Sequence, residues 1–197
     1  MAKKILLGGI LGGIVFFLWA SFSHLVLPLG KAGIRQIPNE AAVLAAMRVA
    51  ISEPGFYIFP GMAESAGMTK EQQAAAMNEW QEKYRRGPTG ILIYHPQGRE
   101  ALSPKQLLTE LGSNIVAALV IAILLAMAAP GLGGYAVRVC FVACFGLFSF
   151  LDIHVSYWNW YGFPASYTLA ALVDGVVGWA LAGLAMGAIV KTRNWPA

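Results

Sequence analysis

The chain has 197 residues, of which 57% are hydrophobic and only 12% charged, with a formal net charge of +4. Soluble domains carry charge on roughly a quarter of their residues, so this composition excludes that class and points to a membrane. The basic residues form no stripe or patch that tracks phosphates, which sets nucleic acid aside as a partner.

Four long apolar segments account for the composition: Ile5–Leu29, Leu108–Ala129, Tyr135–Val155 and Tyr167–Val190. As a helix, each is long enough to cross a hydrocarbon core of about 30 Å. The expected fold class is a membrane all-α protein, with four transmembrane helices and a small α+β extracytoplasmic insert between the first and second. Residues 1–29 form the first helix, 30–107 the insert, and 108–197 a three-helix membrane region with a short cytoplasmic tail.

The first segment follows Lys3 and Lys4 and carries Gly8, Gly9, Gly12 and Gly13, two overlapping pairs of small residues four apart. Such pairs let helix backbones approach closely, and contacts within the bundle are expected here rather than a dimer. Ser21 and Ser23 flanking Phe22 also resemble a signal-peptide cleavage site after Ser23. The apolar run continues through Leu29 and spans a full bilayer, which favours a retained anchor.

Most of the charged residues fall in the insert, which should fold in water. Asn39 caps an expected short helix through Met47, and Ser52-Glu53-Pro54-Gly55 reads as a turn. Phe56–Phe59 and Gly90–Tyr94 read as strands closed by Pro60-Gly61 and Pro96-Gln97-Gly98. Thr69 with Gln72 is a capping-box signature for a helix of four turns ending at Gly87-Pro88, with Met77, Trp80 and Tyr84 on its apolar face. Lys83, Arg85 and Arg86 sit at its C-terminal end, where they either complement the helix dipole or touch anionic headgroups. Two strands and two helices make a thin core, so the insert is expected to pack on the membrane surface, the spanning helices or a partner.

Ser103, Pro104 and Gln106 cap a helix that should run unbroken into the second span, which carries Ala118, Ala122 and Ala126. In the third span Cys140 and Cys144 lie one turn apart on one helix, which does not suit a disulfide, and they are expected to pack as small apolar residues. The fourth span carries Gly183 and Gly187. Lys3 and Lys4, Arg138 in the link 130–138, and Lys191 with Arg193 are unopposed by acidic residues, whereas the link Ser156–Ser166 is uncharged. The positive-inside rule then predicts a plasma (inner) membrane protein with both termini cytoplasmic and residues 30–107 outside.

The polar residues within the spans are His24, Asn114, Asp152, His154 and Asp174. His24 lies about 28 Å along its helix from Ile5 and Asp174 about 10 Å in from Tyr167, so all five fall in the outer third of the bilayer. Ionisable groups at such depth are costly and mark candidate ion or proton relays, with helix-to-helix hydrogen bonding as the structural alternative. Asp174 is the stronger carboxylate, aligned with Gly178 one turn on. Asp152 shares a stripe with Ser149 and Ser156 that should face other helices, and His154 lies about 200° around the helix from it. Two histidines at one depth can also ligate haem iron, but no attachment motif accompanies them and no cofactor or metal is implied.

Tyr157, Trp158, Trp160, Tyr161 and Phe163 crowd the outer link before Pro164. They are expected to form an interfacial belt or a lip that binds lipid or a partner. Nucleophile elbows, HExxH, Walker A and paired CxxC motifs are all absent. The leading expectation is a non-enzymatic anchor or accessory protein that presents its insert to a partner or to membrane lipids. A small ion- or proton-coupled carrier using Asp152 and Asp174 is the alternative. A membrane enzyme with His154 or His95 as base ranks last.

Overall fold

The computed structural model describes residues 1–191, so Arg193 of the C-terminal basic pair lies outside the described residues. In chain order the elements are α1 (Ala2–Leu25), α2 (Glu40–Ala50), β1 (Gly55–Phe59), α3 (Lys70–Arg86), β2 (Gly90–Tyr94) and α4 (Pro104–Ala128). Then come α5 (Tyr135–Ser149), a π-helical turn (Phe150–His154), α6 (Val155–Tyr161) and α7 (Ala165–Ile189). Among the described residues four stretches are long and apolar enough to cross a membrane: Ala2–Leu25, Pro104–Gly131, Tyr135–Tyr161 and Ala165–Ile189. The chain divides into two compact units, Met1–Ile34 with the chain from Ala101 onward, and Arg35–Glu100.

In the first unit α1 ends at Leu25, short of the expected Leu29. Leu27 precedes Pro28 and is extended, as the proline ring demands of its neighbour, and Pro28–Lys31 then form a single 3-10 turn. α4 starts on its capping box, with Ser103 N–H donating to Gln106 Oε1 at 2.8 Å and Gln106 N–H to Ser103 Oγ at 3.3 Å. The third span differs from expectation at its far end. The helix continues through Tyr161, and only Gly162–Pro164 connect it to α7. Tyr and Trp sustain a helix; the breakers are Gly162, left-handed at φ 69°, and Pro164.

α1 packs against both α4 and α7, and α7 packs in turn against α5. The four glycines of α1 divide between its neighbours. A Cβ on Gly13 would stand 2.5 Å from Ile115 Cα of α4, and one on Gly9 2.8 Å from Leu119 Cα. One on Gly12 would meet Met186 Sδ of α7 at 2.6 Å, and one on Gly8 the Val190 side chain at 3.0 Å. These small residues therefore serve contacts within the chain. Leu125, Val142, Met186 and Val190 are the largest apolar side chains sealed between the helices.

The inward stripe of α5 is Arg138, Val142 and Gly146, spaced four apart. Cys140 and Cys144 consequently face outward and are exposed rather than packed in the bundle. Arg138 lies in the first turn of α5 rather than in a link, is buried, and donates from Nε to the Gly187 carbonyl at 3.1 Å. That carbonyl lies in the last turn of α7, where the Lys191 N–H goes to Ile189 instead of completing the helical pattern. Tyr135 Oη donates to Leu184 O at 2.8 Å and completes the clip between α5 and α7.

In the second unit β1 and β2 pair antiparallel, from Gly55 opposite Tyr94 to Phe59 opposite Gly90. α3 has the expected capping box, Thr69 N–H donating to Gln72 Oε1 at 2.8 Å, and runs for 17 residues to the expected stop at Gly87. Trp80 Nε1 donates to Pro60 O at 3.0 Å and ties α3 to the end of β1. α2 continues to Ala50 because Arg48-Val49-Ala50 holds no breaker. Asn39 is left-handed and makes no side-chain cap, contrary to expectation. The core is as thin as the sequence suggests, with Tyr94 the only buried residue of this unit.

Candidate intramembrane site

Three of the five polar residues in the spans come together in the first unit. His24 occupies the last turn of α1, where its Nδ1 is 3.0 Å from the Ala20 carbonyl and 3.1 Å from Ser23 Oγ. A carbonyl only accepts, so this geometry assigns a hydrogen to Nδ1. The same nitrogen lies 3.8 Å from Asp174 Oδ2, within ion-pair reach but beyond a hydrogen bond.

Asp174 sits in α7 about 14 Å in from Ala165 at 1.5 Å per residue. Its backbone carbonyl accepts a hydrogen bond from Trp19 Nε1 of α1 at 3.0 Å. Gly178 makes room for this approach, since a Cβ there would stand 2.8 Å from both Phe16 and Trp19. The side chain is used less completely. Asp174 Oδ1 is buried and has no hydrogen-bond partner.

His154 closes the π-helical turn. Its ring stacks on Phe150 at 6.4 Å between centroids, with Tyr157 and Tyr167 at 6.3 and 6.4 Å. Its Nδ1 is likewise buried without a partner. Single π turns inside α-helices recur at functional sites because they re-aim side chains. Here His154 points inward while Asp152, two residues earlier, is exposed and lies outside the cavity. The expected inward stripe of Ser149, Asp152 and Ser156 is therefore broken, and only Ser149 lines the site.

These groups share a cavity of about 210 Å³, whose polar lining includes His24, Ser149, His154 and Asp174. Phe16, Phe150, Tyr167 and Trp179 supply aromatic walls, and Phe16 meets Trp179 at 4.5 Å. The volume falls below the roughly 300–1,000 Å³ of sites for drug-sized ligands and suits a small one. Gly146 lies against the backbone of Gly175, which brings α5 and α7 together beside the cavity. Among the described residues no three His, Cys, Asp or Glu side chains converge as a metal-ligand set.

Asn114 does not reach this cavity. It is buried on α4, where its backbone oxygen would lie 2.9 Å from a Cβ on Gly13, and its Nδ2 has no partner. Tyr157, Trp158, Trp160 and Tyr161 are exposed on α6. Tyr157 touches Phe163 at 5.3 Å and Phe163 touches Tyr167 at 5.1 Å, so a chain of rings links the aromatic string to His154. In the second unit Arg85 and Arg86 both pair with Glu82, and Lys83 with Glu79 at 2.7 Å, which makes them a solvated helix end. His95 of that unit has Nε2 3.5 Å from Arg99 Nη1.

Sequence reasoning missed Phe16, Trp19, Phe150 and Trp179. Trp19 carried a usable signal, because an indole inside a span needs a hydrogen-bond partner that the lipid cannot supply. Neither a family model, a curated protein nor a solved structure shows significant similarity to the chain.

Proposed function

We propose that the protein is a multi-pass plasma-membrane carrier that takes a proton or a cation into the site built on Asp174, with His24 and His154 beside it. The supporting observation is that Asp174, whose buried Oδ1 has no hydrogen-bond partner, lines one cavity together with His24 and His154. A carboxylate kept only to hold helices together would spend both oxygens on its neighbours, because an idle buried acceptor is costly. Asp152, exposed and away from the cavity, has no part in this reading. Lys3, Lys4 and Lys191 favour cytoplasmic ends, and with them an outward-facing Arg35–Glu100 segment. The test is flux in proteoliposomes: Asp174→Asn should abolish uptake while Asp152→Asn leaves it intact. Equal flux through wild type and Asp174→Asn would remove the proposal.

A second role is compatible with the first. The Arg35–Glu100 unit presents Ile58 and Ile93 from its two-stranded sheet, at 50% and 68% exposure, and this apolar surface favours the reading that the unit is shown to a protein partner or to lipid. Affinity capture in mild detergent, compared with a chain lacking residues 35–100, tests it; identical recoveries would exclude it.

A further inference from the structure

Building on the carrier reading, we infer that the cation held at Asp174 is a primary ammonium group, free or on a lipid headgroup. Asp174 and His154 both line the cavity, and each holds a buried, unpartnered atom suited to accept a hydrogen bond. Asp174 Oδ1 is a carboxylate oxygen, and His154 Nδ1 is an acceptor when the ring hydrogen is on Nε2. An ammonium has three N–H donors, enough for these two and for Ser149 Oγ on the cavity wall.

The rest of the lining discriminates among cations. Calcium sites draw six or more oxygens from several carboxylates, carbonyls and waters, whereas the side chains here offer a single carboxylate with one serine and one tyrosine hydroxyl. Phe16, Phe150, Tyr167 and Trp179 give what a metal ion uses poorly and an organic cation uses well, an aromatic enclosure. A quaternary ammonium would satisfy the rings but has no N–H for Asp174 Oδ1 or His154 Nδ1. The volume of about 210 Å³ has room for an aminoethyl group and falls short of what a drug-sized molecule needs.

The experiment uses the full-length protein in an amine-free detergent, with binding read by tryptophan fluorescence and calorimetry. Ethylammonium chloride should bind saturably, and tetramethylammonium or sodium chloride at equal ionic strength should not compete. Asp174→Asn should weaken ethylammonium by about tenfold to a hundredfold, the worth of a hydrogen bond to a charged group. Phe150→Leu, a milder change, should weaken it about threefold or more through the lost ring. Asp152→Asn should leave it unchanged. Native mass spectrometry with short-chain lipids separates the sources: retention of the ethanolamine headgroup over choline and glycerol identifies a lipid ligand, and binding of ethylammonium alone identifies a free amine. Sodium competing equally, or ethylammonium binding unaltered in both Asp174→Asn and Phe150→Leu, overturns the inference. Asp174-dependent proton or sodium flux without ammonium binding would overturn it and leave the carrier reading standing; loss of both would end both.

Discussion

Trp19 Nε1 donates to the main-chain carbonyl of Asp174 at 3.0 Å, so the helix that carries the intramembrane carboxylate is anchored to α1 at that very residue. The bond fixes the backbone of Asp174 and leaves its side chain to the cavity. It also satisfies an indole that would otherwise have no partner among apolar groups.

Trp19→Phe retains a ring and removes the donor. The unfolding free energy in mixed micelles should drop by about 0.6–1 kcal/mol, the usual worth of a hydrogen bond between membrane helices. Trp19→Ala should cost more, because ring packing goes as well. Equal losses in the two variants would show that the hydrogen bond contributes nothing.

Gly13 and Gly112 make a matched pair on adjoining helices. A Cβ on Gly13 meets the backbone of Ile115, which cannot yield without moving α4, whereas one on Gly112 meets nothing within 4 Å. Gly13→Ala should cost about 1–3 kcal/mol by overpacking. Gly112→Ala should be neutral or stabilising by up to about 1 kcal/mol, since alanine is the better helix former. Thermal denaturation in detergent reads both.

The order in which these features come into view follows the range of the interactions that make them. Thr69 with Gln72 and Ser103 with Gln106 are legible because a capping box closes within four residues. The shared depth of His24, His154 and Asp174 follows from helix rise alone. Which way Asp152 faces does not, because the π turn shifts the phase of the helix and leaves no mark in the residue types. The aromatic string misleads for the opposite reason: Tyr157–Tyr161 look like a boundary loop by composition, yet contain no residue that stops a helix. Phe16 and Trp179 become wall residues only through the docking of α1 on α7, which is a relation between distant segments.

Acid should loosen α3. The hydrogen bond from Lys83, reinforced by its charge, holds the Glu79 carboxyl below its ordinary 4.5, and a backbone hydrogen bond with help from Thr69 does the same for Glu71. A carboxyl lowered on folding adds stability above its unfolded value and loses it as pH falls through the folded one. Amide protection across Lys70–Arg86 in the intact protein, corrected for intrinsic exchange rates, should hold steady down to about pH 4.5 and then decline. Glu79→Gln should shrink the decline, and an unchanged profile would discount the pair with Lys83.

Topology is open to direct labelling once Cys140 and Cys144 are replaced. A cysteine at Gly98 or Asn159 should react with an impermeant maleimide on intact spheroplasts, and one at Gly133 only after permeabilisation. Labelling of Gly133 from outside would invert the orientation and bring the ends of α1 and α7 that carry His24 and Tyr167 to the cytoplasmic side.

The position of α1 between α4 and α7 bears on how the protein is made. Both helices that settle on α1 follow it in the chain, α7 by more than a hundred residues, so α1 has to wait in the bilayer until they emerge. A peptidase acting after Ser23 in that interval would take away Gly8–Gly13 and the surfaces on which α4 and α7 rest, along with Trp19. The serines that look like a processing site therefore lie on a helix whose removal would leave α4 with only its slight contact to α5, and escape from cleavage becomes a condition of assembly rather than a detail of targeting.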